Sequence, residues 1–407
     1  MNAQARIANS SKAGRDDRKT AQLSERSKPF PVTRIAAGFA LAREILCTAG
    51  IDLGRPGAHA PQLDDSGHES FFLLDGERHR ERRAAVAPCF TPQAVVTRYR
   101  PLMDRTMDEL IAMLQAQGSL ALDEMSLQLA SNVAMEIVGL TNSDNKRLTR
   151  VVRGMMSADP FERLPRIAQR LFKPLLMKQY DKRRQALVAE FYHDHIVPTA
   201  EARRGEPKAD VMSCMVRENY SPMAMIGECQ AYAGAAISTT REFIVLAAWQ
   251  LFDHPDVMKR FLEGDEADQF AVLEEILRLD PIANFLYRQS TIDQASTTAA
   301  QPFASGEVYA IDIREANTDP EAVGDDRFAL DPDRPKRMKA AGAWMSFGDG
   351  PHRCPGSQIA LHESRVFLDR LLRVPGIRLA KSPEMALGVQ TQGYELRGAI
   401  VACDKVR

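Results

Sequence analysis

One stretch near the C-terminal end, Ser346-Phe347-Gly348-Asp349-Gly350-Pro351-His352-Arg353-Cys354-Pro355-Gly356, restricts the fold more than any other. It sets a cysteine at the end of a glycine-rich loop, directly ahead of the run Ser357-Gln358-Ile359-Ala360-Leu361, whose apolar-polar pattern predicts a helix. Backbone N–H groups at a helix N-terminus, with His352 and Arg353 alongside, favour a thiolate over a thiol. A sulfur held that way is a metal ligand or a nucleophile. The plainer alternative is a structural cysteine in a turn. Zinc is a third, but it takes four protein ligands, or three and a water, and no second His/Cys cluster stands near a match in the chain.

Phe347, Gly350, Cys354 and Gly356 form the spacing F-x-x-G-x-x-x-C-x-G, which resembles the haem-binding loop of the cytochrome P-450 family. The resemblance implies that Cys354 is the axial iron ligand. It also implies that Phe347 packs beside the sulfur, and that the loop glycines, Gly348 and Gly356 among them, let backbone N–H groups approach it. Cysteine ligation pushes electron density onto the iron and favours O–O cleavage. The implied fold is mainly α with small β-sheets: a single haem-enclosing domain over residues 29–407 that holds haem b (iron protoporphyrin IX).

With 407 residues, 44% of them apolar, the chain is large enough for one enzyme with a deep interior. A formal charge of −1 gives no general reason to expect nucleic acid or an anionic membrane as partner. Six cysteines, at 47, 89, 214, 229, 354 and 403, follow no repeating spacing, which argues against a secreted disulfide framework and for a reducing cytoplasm. Residues 1–28 are polar, rich in Arg, Lys, Ser and Gln, and read as a disordered tail with neither a leader's apolar core nor a membrane anchor of about 20 residues. No later apolar run is long enough to span a bilayer, so the expected protein is soluble and cytoplasmic.

Along the chain, apolar spacing predicts a helix over 34–50, then an irregular Gly/Pro/His/Asp-rich loop over 54–67. Asp75, His79 and Arg83 resemble the family's D-x-x-x-H-x-x-x-R segment, in which both cations, one helical turn apart, face a haem propionate; a solvated basic helix is the alternative. Helical patterns dominate from about 98 to 279. Within them, residues 161–180 fall where the family places mobile helices over the substrate entrance.

The longest expected helix runs from Met223 to about Phe252, with small residues at Ala231, Ala235 and Thr239 one turn apart. It resembles the family's distal helix, A-G-x-(D/E)-T-T, here Ala235-Ala236-Ile237-Ser238-Thr239-Thr240. Thr239 keeps the family's catalytic threonine, and Ala235 would face the cofactor. Two positions depart: Ala236 replaces the usual glycine, and Ser238 replaces the acid that connects the site to bulk protons. A serine relays a proton but does not hold one as an acid near neutral pH; alternatively its hydroxyl bonds back to a carbonyl four residues earlier. Glu242 is a possible substitute proton source.

Glu275 and Arg278 form E-x-x-R on one helical face. In the family this pair is structural and lies behind the haem with a third arginine, for which Arg327 and Arg334 are both candidates. Residues 282–290 read as extended. There Arg288 matches the arginine that joins His79, Arg83 and His352 on the two propionates, four cations for two carboxylates. Residues 283–287 would edge the pocket. Ala316-Asn317-Thr318-Asp319-Pro320 resembles the family's A-N-R-D-P. The function implied is oxidation of a small organic substrate with activated dioxygen, by monooxygenation or by an atypical reaction such as aromatic coupling. Electrons would come from a ferredoxin and a ferredoxin reductase, with Arg80, Arg82 and Arg353 as candidate docking charges. A haem-binding sensor or carrier without turnover is the rival reading.

Overall fold

The computed structural model describes residues 18–21, 29–54, 70–142, 145–156, 166–340, 342–388 and 393–404. Most of these are helical, and their contacts divide the chain into two compact units. The first comprises residues 1–60, 103–127 and 239–407; the second comprises 61–102 and 128–238.

Among the described residues all the strands belong to the first unit: β1 (Arg34–Ala36), β2 (Ile51–Leu53), β3 (Ser119–Ala121), β4 (Phe285–Ser290), β5 (Val308–Asp312), β6 (Arg378–Lys381), β7 (Glu384–Leu387), β8 (Tyr394–Arg397) and β9 (Ile400–Ala402). One sheet has the order β1-β5-β4-β2, a second β3-β9-β6, and β7 pairs with β8. Arg34 lies opposite Tyr309 in the parallel β1–β5 pair, and Leu53 opposite Arg288 in the antiparallel β2–β4 pair.

The expected 34–50 helix is corrected by this pairing. Its first residues are recruited into β1, and the helix runs Phe39–Cys47. Ile35 and Phe39 fit either period locally, so the decision is taken by a strand far along the chain. The helix start is capped from a distance as well, because the Phe39 N–H donates to Asp319 Oδ2 at 2.8 Å. Its inner face places Ala42, Ile45 and Leu46 in a core with Phe303, Tyr309, Ile311 and Met345, each larger side chain contributing about 1.5–3 kcal/mol by burial.

Of the stretch expected as a disordered tail, residues 1–17 and 22–28 lie outside the described residues. Residues 18–21 do not behave as tail: Thr20 is fully buried, and its backbone N–H donates to Asp280 Oδ1.

In the second unit every element among the described residues is a helix. Its interior holds the ion pair Arg203 Nε to Asp210 Oδ2, 2.6 Å, with Arg203 Nη2 also donating to the Gly139 carbonyl at 3.0 Å. Asp210 caps the Val211–Arg217 helix through the Ser213 N–H. Gly139 is required here: its φ is +93°, and a Cβ would lie 2.5 Å from the Asp210 carboxylate.

The expected long helix has the anticipated extent but a different spacing. Pro222–Ala233 and Thr239–Asp253 are α-helical, and Gly234–Ser238 between them is a π turn. That widened turn breaks the strict one-turn spacing of residues 231, 235 and 239, and π turns are frequent at functional sites.

Candidate active site

The cysteine loop is held by its own backbone and by three neighbours in the first unit. Gly348 N–H donates to Met345 O at 2.8 Å, Arg353 N–H to Gly350 O at 3.1 Å and Cys354 N–H to Phe347 O at 2.8 Å. Gly350–His352 forms a 3₁₀ turn, and the Ser357–Leu372 helix follows Gly356. Cys354, Phe347, Gly348, His352 and Gly356 are therefore brought together, with Cys354 half-buried. Gly350 has φ +66°, and a Cβ there would sit 2.2 Å from the carbonyl oxygen of Leu46, at the end of the Phe39–Cys47 helix. Arg43 of that helix reaches Asp349 at 3.2 Å. A Cβ at Gly348 would meet the Leu286 side chain of β4 at 3.5 Å. Arg288, two residues on, projects to the same strand face as Leu286 and is buried, with Nη1 donating to Tyr287 O.

The loop is anchored to the E-x-x-R pair through Asn317. Arg278 Nε and Nη2 hold the Glu275 carboxylate at 2.7 and 2.8 Å, all fully buried. Arg278 Nη1 donates to the Asn317 carbonyl, and Asn317 Oδ1 accepts from Met345 N–H at 2.8 Å. Asn317 Nδ2 donates to Ser346 Oγ, whose own hydroxyl donates to Leu277 O. The sequence left the third arginine open between two candidates. It is Arg334, whose Nε donates to Glu275 Oε1 at 3.0 Å. Arg327 contributes its carbonyl to Arg278, while its side chain stacks on Phe328. Asn317 was not singled out by sequence reasoning, although it stands in the A-N-T-D-P segment that was.

Around the π turn, Ala235 and Thr239 are exposed while Ile237 and Thr240 are buried. Ser238 Oγ donates to the Gly234 carbonyl, so the local back-bond is the arrangement adopted, and this hydroxyl's proton is committed to the helix. Glu242 does not suit proton delivery. It is buried, and its carboxylate accepts from Leu396 N–H and Arg397 Nη1 at 2.6 Å each and from Arg241. It thereby ties β8 to the first turn of the helix that begins at Thr239.

In the second unit His79 and Arg83 lie one turn apart on the Gly76–Val86 helix, His79 buried and Arg83 half-buried. Arg80 pairs with Glu77, and Arg82 with Glu218 and the Tyr220 ring, so both are engaged locally. Sequence reasoning also missed Glu228 and Tyr232, one turn apart and buried, each with an oxygen lacking a hydrogen-bond partner among the described residues. Burial pushes the Glu228 carboxyl up to about 7, with Ser70 and Arg82 opposing.

The donor set suits a haem. Among the described residues no cluster of three or more His, Cys, Asp or Glu could hold a metal by itself, and a thiolate-ligated haem asks the protein for one sulfur. Of the other thiols, burial pushes Cys89 up to about 12 and also raises Cys229 and Cys214, which keeps them protonated.

Comparison with known proteins points the same way. The family model described as cytochrome P-450 matches residues 32–267 and 270–374. Pentalenic acid synthase of Streptomyces avermitilis is 27% identical over 363 residues, covering 85% of this chain and 82% of that protein. Nocardicin C N-oxygenase of Nocardia uniformis is 25% identical over 323 residues, covering 77% and 74%. The crystal structure of cytochrome P-450 MoxA from Nonomuraea recticatena shares the fold, with a TM-score of 0.74 at 22% identity over 95% of each chain.

Proposed function

Since this chain belongs to the cytochrome P-450 family, and so to the haem-thiolate oxidoreductases that oxidise small molecules, we propose that Cys354 is its iron ligand and haem b its cofactor. The carrying observation is the loop ending at Cys354, closed on the Phe347 carbonyl and set against the Phe39–Cys47 helix at Gly350, where a Cβ would meet the Leu46 carbonyl. When bound, a thiolate-ligated haem supplies the activation of dioxygen.

The chain's own residues then divide the remaining work. Arg288, His352, His79 and Arg83 neutralise the two propionates by charge-assisted hydrogen bonds. Phe347, Gly348 and Gly356 shape the sulfur side, and Ala235 gives the distal helix a small surface toward the cofactor. Glu275 and Arg278, with Arg334, hold the loop through Asn317. Thr239 offers a hydroxyl that can both accept and donate a proton on the substrate side. Ser238, whose proton is used by Gly234 O, retains only lone pairs with which to accept. A site with no acid at that position is suited to an oxidation other than plain hydroxylation, such as aromatic coupling.

Redox partners are external, and a ferredoxin with its reductase is the supply we favour, in the cytoplasm. In keeping with that, no helix among the described residues is long and apolar enough to cross a membrane. Of the segments that would select the substrate, 55–72, 161–180 and 389–394, residues 55–69, 161–165 and 389–392 lie outside the described residues, while 166–180 belong to the Arg166–Phe191 helix.

The test is the absorption of the reduced, carbon-monoxide-treated protein. We expect the red-shifted band characteristic of thiolate ligation in the wild type and its loss in Cys354→Ser. A band that survives that substitution refutes the assignment.

A further inference from the structure

Arg18, Lys19 and Thr20 precede the first residue matched by the family model, at 32, yet each has its own anchor in the first unit. Arg18 lies over the Phe328 ring at 4.4 Å and within 3.8 Å of Glu315. Lys19 pairs with Asp253 and lies over the Trp249 ring at 4.9 Å. Thr20 is buried completely, and its hydroxyl sits between two charged groups, donating to Asp280 Oδ1 and accepting from Arg314 Nη1. Asp280 also receives the Lys19 backbone N–H at 3.2 Å and Gln250 Nε2 at 2.8 Å. Its carboxylate is 3.8 Å from Arg314 Nη1. Thr20 therefore bridges a buried acid and a buried base.

The bridge continues toward the pocket edge. Arg314 Nη2 donates to Tyr394 Oη, and its guanidinium lies 4.9 Å above that ring. Tyr394 begins β8, and its N–H donates to Ile282 O at 3.2 Å, beside the Ala283–Gly393 bridge. At the first residue of the Ile313–Ala316 helix, which carries Arg314, Ile313 N–H donates to Asn284 O at 3.0 Å. Residues 282–284, which lead into β4, are thus clamped between β8 and the segment that carries Arg314. Two residues along β8, Leu396 is tied to Glu242 in the first turn after Thr239.

We propose that Thr20 is a positioning residue, which through the Asp280–Arg314 pair sets the Tyr394 end of β8 and, with it, residues 282–284, where the expected pocket edge of residues 283–287 begins. Identification of that edge as the substrate pocket rests on the function proposed above; the mechanical linkage does not. A segment lying ahead of the family's matched region then tunes what the pocket admits.

Thr20→Val keeps the shape of the side chain and removes its hydroxyl, and Thr20→Ser keeps the hydroxyl. In hydrogen exchange on the full chain, Thr20→Val is expected to speed exchange at Tyr394 and Ile313 by about tenfold, the scale of one lost hydrogen bond to a charged group. Exchange in the Ser357–Leu372 helix should stay unchanged, and Thr20→Ser should exchange as the wild type does. In the haem-loaded protein, Thr20→Val should shift the spectral Kd for 4-phenylimidazole several-fold and leave that for imidazole, which needs no pocket wall, within about twofold. Unchanged exchange at Tyr394, no rescue by serine, or equal shifts for both azoles overturns the proposal. If neither azole perturbs the wild-type spectrum, the haem assignment is what fails, and the exchange experiment still decides the linkage.

Discussion

At Gly350 the backbone is left-handed and a side-chain carbon would collide with the Leu46 carbonyl, whereas at Gly348 the backbone is equally left-handed but the space is open to 3.5 Å. Gly348→Ala should therefore cost only the conformational strain, about 1–2 kcal/mol. Gly350→Ala should cost clearly more and also lower the haem content of the purified protein, both measurable by thermal melts and pigment absorbance. Glu228 offers a second test. Its carboxyl is raised from 4.5 to about 7 by burial, so the folded state holds a proton that the unfolded chain gives up. The stability this contributes is complete below about pH 4.5 and is lost as pH rises through 7. Relative to the wild type, Glu228→Gln should gain stability across that window, up to about 3 kcal/mol, with no further gain above it. Denaturant midpoints at several pH values decide this. The spacing around Cys354 carried the family resemblance, and that resemblance brought Arg288 and Glu275 to notice. Glu228 escaped notice because one acid in an apolar helix signals nothing until its surroundings are known.

Among the elements, the Glu275–Arg278–Arg334 triad joins the Glu266–Leu279 helix to the short Arg334–Met338 helix that precedes the cysteine loop. Removing one member leaves a buried charge uncompensated, and Glu275→Ala or Arg334→Ala should destabilise by roughly 3–5 kcal/mol and lose pigment. Arg327→Ala should do far less, since the Arg327 backbone carbonyl, not its side chain, meets the triad. Melts and pigment content on the three variants separate these outcomes. The motif E-x-x-R was legible because its members are near in sequence. The choice of Arg334 was not, because it depends on how the chain folds back some sixty residues later. The π turn was equally hidden: small residues at regular intervals fit an unbroken helix, and the widened turn, with Ser238 bonded back across it, has no sequence period of its own. Ser238→Asp places an acid there. It should change product identity or the fraction of electrons that reach product, read by product analysis against oxygen consumed; a uniform acceleration of one hydroxylation would count against the assigned role.

For the whole molecule, a cofactor that binds only the folded chain raises stability by mass action, about 2.7 kcal/mol at a hundredfold excess over Kd. Titrating haem into the haem-free protein should therefore raise Tm progressively, and Cys354→Ser should blunt the rise. The fold class was readable through the family resemblance that a loop of eleven residues carries, with helical periods in keeping with it. The helix-to-strand change at Arg34 was not, since β1 is made by its partner β5. That distance has a cost in time. Residues 34–53 leave the ribosome well ahead of their partners, so β1, the Phe39 cap and β2 wait for Tyr309, Asp319 and Arg288. At about 5–20 residues per second, that is on the order of ten seconds to a minute. Throughout that interval the newborn chain presents an unpaired sheet edge, so its yield in the cell will respond to chaperone supply and translation speed more than to the strength of any contact in the finished protein.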